Sequence, residues 1–551
     1  MPDTGPDHAA HVVGRRGFLG AGLATTAAAL LAPAGAIADS ADSAAAATTD
    51  ASGKRPAPAL DAVSLVNVPP RQITAAVAKL DGIIEDVRAR TGVPGVAAAV
   101  VHRGRLVYAK GFGVRDVNTG VPVNPRTVFH LASVSKSISA TVVAGIVGRT
   151  KVEWSDPVVQ HLPGFLLSDP WVSTHVTLAD MFSHRSGLPD HAGDLLADLG
   201  YDRAYVLRKL AFEPLGPFRT RWLYTNFGLT AAAVAAARAT GKGWADISDQ
   251  LLFGPLQMNS TSFRNADFDR RSNRAAMHVR VDGKWLQKYS RNADPEAPAG
   301  GASSNVLDMV RWMRLLLAEG RSNGRALIDR DALIEAHTPQ ILSGHGQTPI
   351  SRSGFYGFGT NVSYDYSGRL RLTHSGAFAQ GAATQYALLP AEDLGIVVLT
   401  NGMPIGVPEA TTAYFMDWVV AGSVQEDWLK LYGSKLAGLY VNPSVLAGKR
   451  PPAHPKPAKP NAFYAGTYNN DFYGPIKIVA TSSGLHLLIG PHPNDYPLGH
   501  WDGNRFSFFP TGENAVGISQ ATFTANAAGT RAKSVTLEYY DVERLGTFTR
   551  A

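Results

Sequence analysis

Gly95-Val-Ala-Ala-Ala-Val-Val101 and Arg105-Leu-Val-Tyr-Ala-Lys110, parted by His102-Arg103-Gly104, decide the fold class. Two short runs rich in strand-forming residues around a tight turn predict a β-hairpin. Upstream, over residues 72–90, Ile73, Val77, Leu80, Ile84 and Val87 recur at helical spacing, so an amphipathic helix precedes the hairpin. Downstream, a second helix is expected from Ser133 to about Gly148, and a third over residues 304–318, with Ser304 or Asn305 placed to cap it. Ala382–Leu389 and Gly395–Thr400, joined by Pro390–Asp393, read as two further strands. Helix, hairpin, a long helical middle and then strands predict an α+β fold, an antiparallel sheet flanked by helices.

The composition changes at Gly448-Lys-Arg-Pro-Pro-Ala-His-Pro-Lys-Pro-Ala-Lys-Pro460, a proline-rich basic stretch that reads as a stiff linker. Beyond it, residues 461–551 alternate apolar and polar in short runs such as Ile476-Lys-Ile-Val479 and Leu485-His-Leu-Leu-Ile489. That pattern predicts a small all-β domain, a closed or nearly closed barrel. With 551 residues, more than one core is expected in any case.

The amino terminus reads as an address. Arg15-Arg16-Gly17-Phe18-Leu19-Gly20 is a twin-arginine pattern, followed by an uncharged Ala-rich stretch from Ala21 to Ala38 and the small-x-small site Ala36-Ile37-Ala38. Residues 1–38 are therefore expected to be a twin-arginine signal peptide, and 39–71 a disordered mature N-terminus. The stretch contains Pro33 and lacks the Leu/Ile density of a membrane span, and no later stretch supplies one. The expected location is extracytoplasmic, with no transmembrane segment in the mature chain.

Hydrophobic residues at 45% and charged residues at 18% fit a globular protein and exclude a largely disordered one. The net charge of +7 is spread out, with no run of five Lys/Arg, so no nucleic-acid partner is implied. Cysteine is absent, which excludes disulfides, thiolate metal sites and a Cys nucleophile. No H-E-x-x-H, Walker or G-x-G-x-x-G pattern occurs, so neither metal nor cofactor is expected.

Three short motifs carry the chemistry. Ser133-Val-Ser-Lys136 is the one S-x-x-K in the chain and opens a helical pattern, which places Ser133 and Lys136 on the same face. A helix start supplies backbone N–H groups beside the hydroxyl. A lysine held neutral by burial can take the serine proton. Tyr224-Thr-Asn226 follows; Tyr440-Val-Asn442 and Tyr468-Asn-Asn470 share its pattern, but only Tyr224 lies between the other two motifs. Its phenol can shuttle a proton to a leaving group, and Asn226 can orient Lys136 or a substrate amide. His374-Ser375-Gly376 sits in a strand-like run; H-x-G also occurs at His102 and His191. A strand edge there can hydrogen-bond a peptide-like substrate and complete an oxyanion hole.

In this order the three motifs resemble those of the penicillin-recognising serine enzymes: class C β-lactamases, soluble DD-peptidases, D-aminopeptidases and related esterases. Phe129-His-Leu-Ala-Ser-Val-Ser-Lys136, Leu178-Ala-Asp-Met-Phe-Ser-His-Arg-Ser-Gly-Leu-Pro189 and Gly300-Gly-Ala-Ser-Ser-Asn-Val-Leu-Asp-Met-Val-Arg-Trp312 are similar to that family's segments. The resemblance implies a hydrolase domain over 72–447 and an acyl-enzyme on Ser133. Lys136 and Tyr224 would share acid/base work, and Asn226, His374, Ser375, Gly376 and Ala377 would line the site. The backbone N–H groups of Ser133 and Ala377 would form the oxyanion hole. His374 stands where the β-lactamases carry a lysine, which favours peptidase, amidase or esterase action on a small or peptide substrate. A class C-type β-lactamase and an inactive binding module are the alternatives. Gly320-Arg-Ser322-Asn-Gly324 matches the G-x-S-x-G elbow, but a helix precedes it where the elbow needs a strand, and it reads as a helix end and turn.

Overall fold

The computed structural model describes residues 68–346, 348 and 351–551. The expected signal peptide, and all of the expected mature N-terminus before Val68, lie outside the described residues.

Helix α1 (Pro70–Thr91) leads into the hairpin β1 (Gly95–His102) and β2 (Arg105–Gly113). The helical middle contains α2 (Ser135–Val147), α3 (Asn226–Ala239) and α4 (Val306–Leu317). Strands β3 (Ile341–Gly344), β4 (Gly354–Tyr356), β5 (Asn361–Tyr364), β6 (Leu370–Phe378), β7 (Ala382–Leu389) and β8 (Leu394–Thr400) follow, then α5 (Val407–Val420) and α6 (Trp428–Leu436). The eight strands form one sheet in the order β2-β1-β8-β7-β6-β5-β4-β3. Every pairing in it is antiparallel.

Strand β1 is a near-continuous apolar run because both its faces are covered. Val96, Ala98 and Val100 pack with Leu80 and Ile84 of α1 and Phe415 of α5. Ala97, Ala99 and Val101 face the other layer, with Trp312 and Met313 of α4. Helix α4 begins at the cap Asn305, whose side chain accepts from Asp308 N at 2.9 Å; Ser304 belongs to a short strand paired with Phe129. The Gly320–Gly324 stretch is the end of this helix and an Asn-Gly turn, with Asn323 and Gly324 both at positive φ between two-residue strands. It is not a strand-to-helix elbow.

Residues 466–550 close into an eight-stranded barrel, β9 (Gly466–Asn469), β10 (Ile476–Thr481), β11 (Gly484–Ile489), β12 (Asn494–Asp502), β13 (Arg505–Phe508), β14 (Ser519–Ala525), β15 (Ala532–Leu537) and β16 (Thr547–Arg550). Strands β9 and β16 pair to complete the ring. The barrel docks on the hydrolase body. The Tyr201 hydroxyl donates to Tyr473 O at 2.7 Å, and the Ser444 hydroxyl to Glu538 at 2.6 Å. Part of the linker is fastened too: Lys456 N donates to Asp502 and Lys459 N to the Tyr464 hydroxyl. No helix among the described residues is long and apolar enough to cross a membrane.

Candidate active site

Ser133 lies in a single 3-10 turn, Ala132–Val134, immediately before α2, rather than in the first turn of that helix. The cause is local. Ala132 is held at φ +46°, a left-handed conformation that alanine adopts only under constraint, so the α-helix can begin only at Ser135. The constraint comes from both sides. Leu131 N donates to Ala302 O, and Ala302 N donates to the Ser135 hydroxyl. On the other flank, Thr384 Oγ1 of β7 donates to Leu131 O at 2.7 Å.

Lys136, in the first turn of α2, is fully buried. Its Nζ donates to Ser133 Oγ at 3.1 Å, Asn226 Oδ1 at 2.6 Å and Ala299 O at 3.0 Å. Burial lowers its pKa from the ordinary lysine value to about 7, against the pull of Glu296, Asp194 and Glu513. Tyr224 is buried with its ring centroid 4.5 Å from Lys136 Nζ and its hydroxyl hydrogen-bonded to Ser133. Burial pushes its phenol well above the ordinary range, so it is neutral at pH 7. The backbone fixes it as well: Tyr224 N donates to Asp190 at 2.5 Å, and Tyr224 O accepts from His191 N. Asn226 opens α3, and its Nδ2 donates to Asp194 Oδ2, which also pairs with His191 Nδ1 at 2.7 Å.

The third motif lies on β6. Its pairing with β5 ends at Thr373, so from His374 to Phe378 only β7 flanks the strand, and the other edge runs past Ser133. Gly376 permits the close pass: a Cβ there would lie 2.1 Å from Leu131 O and 3.0 Å from Ser133 N. Ser375 and Ala377 line the cavity that holds Ser133, Tyr224 and Asn226. His374 does not. Strand alternation turns its ring into the layer behind the site. There Nε2 pairs with the Tyr356 hydroxyl at 2.8 Å and Nδ1 with Ser375 O at 2.6 Å. Burial and Lys136 drive its pKa down to about 3, so it is neutral. The sequence expectation of a His374 side chain on the substrate is corrected to a buried support for β6.

The sequence reading missed the acidic half of the site. Asp194, Glu296, Glu409 and Glu513 all line the cavity, with His191. His191 belongs to an H-x-G passed over in favour of His374. Glu409, from α5, is hydrogen-bonded to Ser375 and raised by burial to about 7. Glu513 comes from the barrel. It meets Arg291 at 3.0 Å, where Asp198 at 2.8 Å and Glu296 at 2.6 Å already converge. Glu513 N also donates to Asp198, and Gly512, at φ +136°, has no room for a Cβ against that carboxylate. No periodicity or motif marks single charges scattered over separate elements, so no sequence signal pointed to them.

A serine with a lysine of pKa about 7 and a neutral tyrosine in hydrogen-bond reach is equipped for nucleophilic attack with proton relay. Comparison with known proteins gives the family. The Beta-lactamase family pattern matches residues 80–419, and a domain of unknown function (DUF3471) matches 450–547. The chain is 27% identical to the unguisins hydrolase of Aspergillus campestris, over 71% of this chain and 75% of that protein. It is 28% identical to penicillin-binding protein 4 of Amycolatopsis lactamdurans, over 70% and 95%. It is 30% identical to esterase EstB of Burkholderia gladioli, over 35% and 53%. The fold is shared with the octameric penicillin-binding protein homologue from Pyrococcus abyssi, with a TM-score of 0.55, 18% identity, and coverage of 84% of this chain and 98% of that one. A family match across well over half of the 551 residues, on the domain that carries the site, establishes that the chain belongs to the beta-lactamase family of serine hydrolases.

Proposed function

We propose that the protein is an exported hydrolase that forms an acyl-enzyme on Ser133 and cleaves amide or ester bonds of small peptides or esters, D-amino-acid-containing peptides among them, in the manner of a DD-peptidase or D-aminopeptidase. The observation that carries this reading is the contact of Lys136 Nζ with Ser133 Oγ at 3.1 Å, where Ser133 and Tyr224 line one cavity. Ser133 Oγ attacks the carbonyl carbon and its proton passes to Lys136. The oxyanion is received by the N–H groups of Ser133 and Ala377. The bond to the leaving group breaks as Tyr224 gives it a proton and takes the one held by Lys136 in its place, which restores both groups. Water then repeats the sequence and frees Ser133.

The charges argue against a β-lactamase. Among the described residues no Lys or Arg is in the cavity lining, and Lys136 is engaged with Ser133, Asn226 and Ala299, whereas Asp194, Glu296, Glu409 and Glu513 do line it. Arg291 is held by three carboxylates, and His374 is buried and neutral. A substrate carboxylate, of a β-lactam or of a D-Ala-D-Ala peptide alike, finds no free cation among the described lining residues, which favours the D-aminopeptidase and esterase side of the range. Relatives named as a hydrolase of unguisins, a penicillin-binding protein and an esterase support the amide and ester range. Export by the twin-arginine route rests on Arg15-Arg16 and Ala36-Ile-Ala38. Changing both arginines to lysine would keep the protein inside the cell.

Intact-mass measurement with an alkyl fluorophosphonate, a β-lactam, a D-Ala-D-Ala peptide and a short-chain ester tests the reading. The adduct is expected on the Ser133 peptide, with turnover of peptide or ester. A label on Ser322, or penicillin hydrolysis faster than peptide and ester turnover, would overturn it.

A further inference from the structure

The cavity at Ser133 is small, about 50 Å³. Beside it, between barrel and hydrolase domain, lies a cleft of about 200 Å³. The two share Ala377, Glu513 and Asn514 as a common wall, so the cleft begins where the catalytic cavity ends. The smaller space is narrow for an extended substrate.

The cleft is apolar. Leu439 and Pro443 form one side, from the hydrolase domain. Pro510, Val516, Ile518 and Val542 form the other, from the barrel. Of its two acidic residues, Glu513 is paired with Arg291, and Glu538 is engaged as a strut, accepting from Ser444 Oγ at 2.6 Å and Val445 N at 2.7 Å. Val542 is 49% exposed, and apolar surface left open beside a reactive serine marks a place for a ligand. Strand β6 supplies the route. Its edge, unpaired on one side from His374, passes Ser133 and reaches the cleft at Ala377, with Ala379 in the turn just beyond the strand. A peptide-like substrate bonded along that edge carries a substituent from Ser133 into the cleft.

We propose that the cleft between barrel and hydrolase domain is a substrate subsite for an apolar substituent next to the scissile bond, built half from each domain. The assignment rests on Ser133 being the nucleophile, as proposed above. It makes the barrel part of the substrate site and selects esters or amides with an alkyl or other apolar group over their acetyl or methyl counterparts.

The test is a chain-length series in the full-length protein: p-nitrophenyl esters from acetyl to octanoyl, and acetyl esters of alcohols from ethyl to octyl. In one series kcat/KM should rise by up to about fourfold per methylene until the cleft is filled. Val516→Asp and the exposed Val542→Asp should both flatten that rise, while Val424→Asp, outside the cleft, should keep it. A second measurement, fluorescence of the neutral apolar dye N-phenyl-1-naphthylamine, reads the cleft without turnover and should weaken at least tenfold in both cleft variants. Ester hydrolysis with no chain-length dependence in either series and no dye binding overturns the subsite and leaves the hydrolase reading standing. Dye binding lost in the variants, with no ester turned over and Ser133 unlabelled, leaves an apolar site and sinks the hydrolase reading. A dimer that Val542→Asp dissociates, with flat series, assigns the cleft to a second copy and overturns the proposal.

Discussion

Arg291 of the hydrolase domain and Glu513 of the barrel meet at 3.0 Å, and Glu513 lines the cavity that holds Ser133. Because Asp198 and Glu296 hold the same guanidinium, the barrel is tied to the site through one largely buried cation, its side chain 12% exposed. Removing that cation leaves three carboxylates facing one another without a counter-charge. Arg291→Met should therefore destabilise the protein by about 3–5 kcal/mol, the usual cost of breaking a buried pair from one side. Glu513→Gln should cost less, since Arg291 keeps two partners. Urea unfolding of both variants checks the order; equal losses would mean that the cluster is not centred on Arg291.

How far the sequence foretold this site depends on the kind of residue. Ser133, Lys136 and Tyr224 were legible because a spacing on one helix face and an order along the chain constrain them. The strand pair was legible to the residue at Ala382–Leu389, where an apolar run ends at Pro390. His374 was placed on the right strand, yet its ring faces the wrong way for a ligand: strand alternation sends Ser375 and Ala377 to the cavity, and no local signal says which parity wins. Glu513 could not be read at all. It reaches Arg291 only because the barrel docks, and docking depends on surfaces, not on a pattern within residues 461–551.

Lys136 and Tyr224 both touch Ser133 and each other, so they should act as one unit. Lys136→Met or Tyr224→Phe should lower the acylation rate by about 10²–10⁴. The double variant should fall little below the worse single one. Stopped-flow acylation by a chromogenic ester measures all three; fully additive losses would separate the roles.

The pH profile follows from the lysine. Protonated Lys136 cannot accept the Ser133 proton, and its pKa is depressed to about 7. Acylation should therefore be slow below pH 7 and rise through a single limb with its midpoint near 7. Glu409, at about 7 beside Ser375, titrates in the same window. Glu409→Gln should keep the limb, and the residual activity of Lys136→Met should lose it. A limb that vanishes in Glu409→Gln instead would move the controlling proton to that carboxyl.

Proteolysis should divide the linker unevenly. Gly448 to Pro460 is exposed throughout, but Lys456 and Lys459 are bonded to the barrel while Gly448 to Pro455 carry no such bond to it. Nicking is expected between Ala447 and Lys456. The fragments should then co-elute on size exclusion, because Tyr201–Tyr473, Ser444–Glu538 and Arg291–Glu513 all span the cut. Separation into two free fragments would show that the linker, rather than the interface, holds the barrel in place.

Gly376 gives the sharpest separation of catalysis from stability. A methyl group there would press on Leu131 O at 2.1 Å and Thr384 Oγ1 at 2.4 Å, and reach Ser133 N at 3.0 Å. Thr384 also holds Leu131 O by a 2.7 Å bond, so the intrusion strikes the contact that fixes the turn under Ser133. Strand β6 must then withdraw from Ser133, moving Ala377 and its N–H with it. A displacement of about 1 Å at a reacting centre costs on the order of 10² in rate. Gly376→Ala should thus lose at least that much in kcat/KM. Gly324→Ala supplies the comparison: its φ of +77° is strained for alanine, but nothing lies within 4 Å of the added carbon, and it sits in a remote turn. It should cost about 1 kcal/mol of stability and leave the rate unchanged. Ester turnover and urea unfolding of the two variants decide the matter: a Gly376→Ala enzyme with undiminished kcat/KM would mean that the edge of β6 takes no part in the chemistry at Ser133.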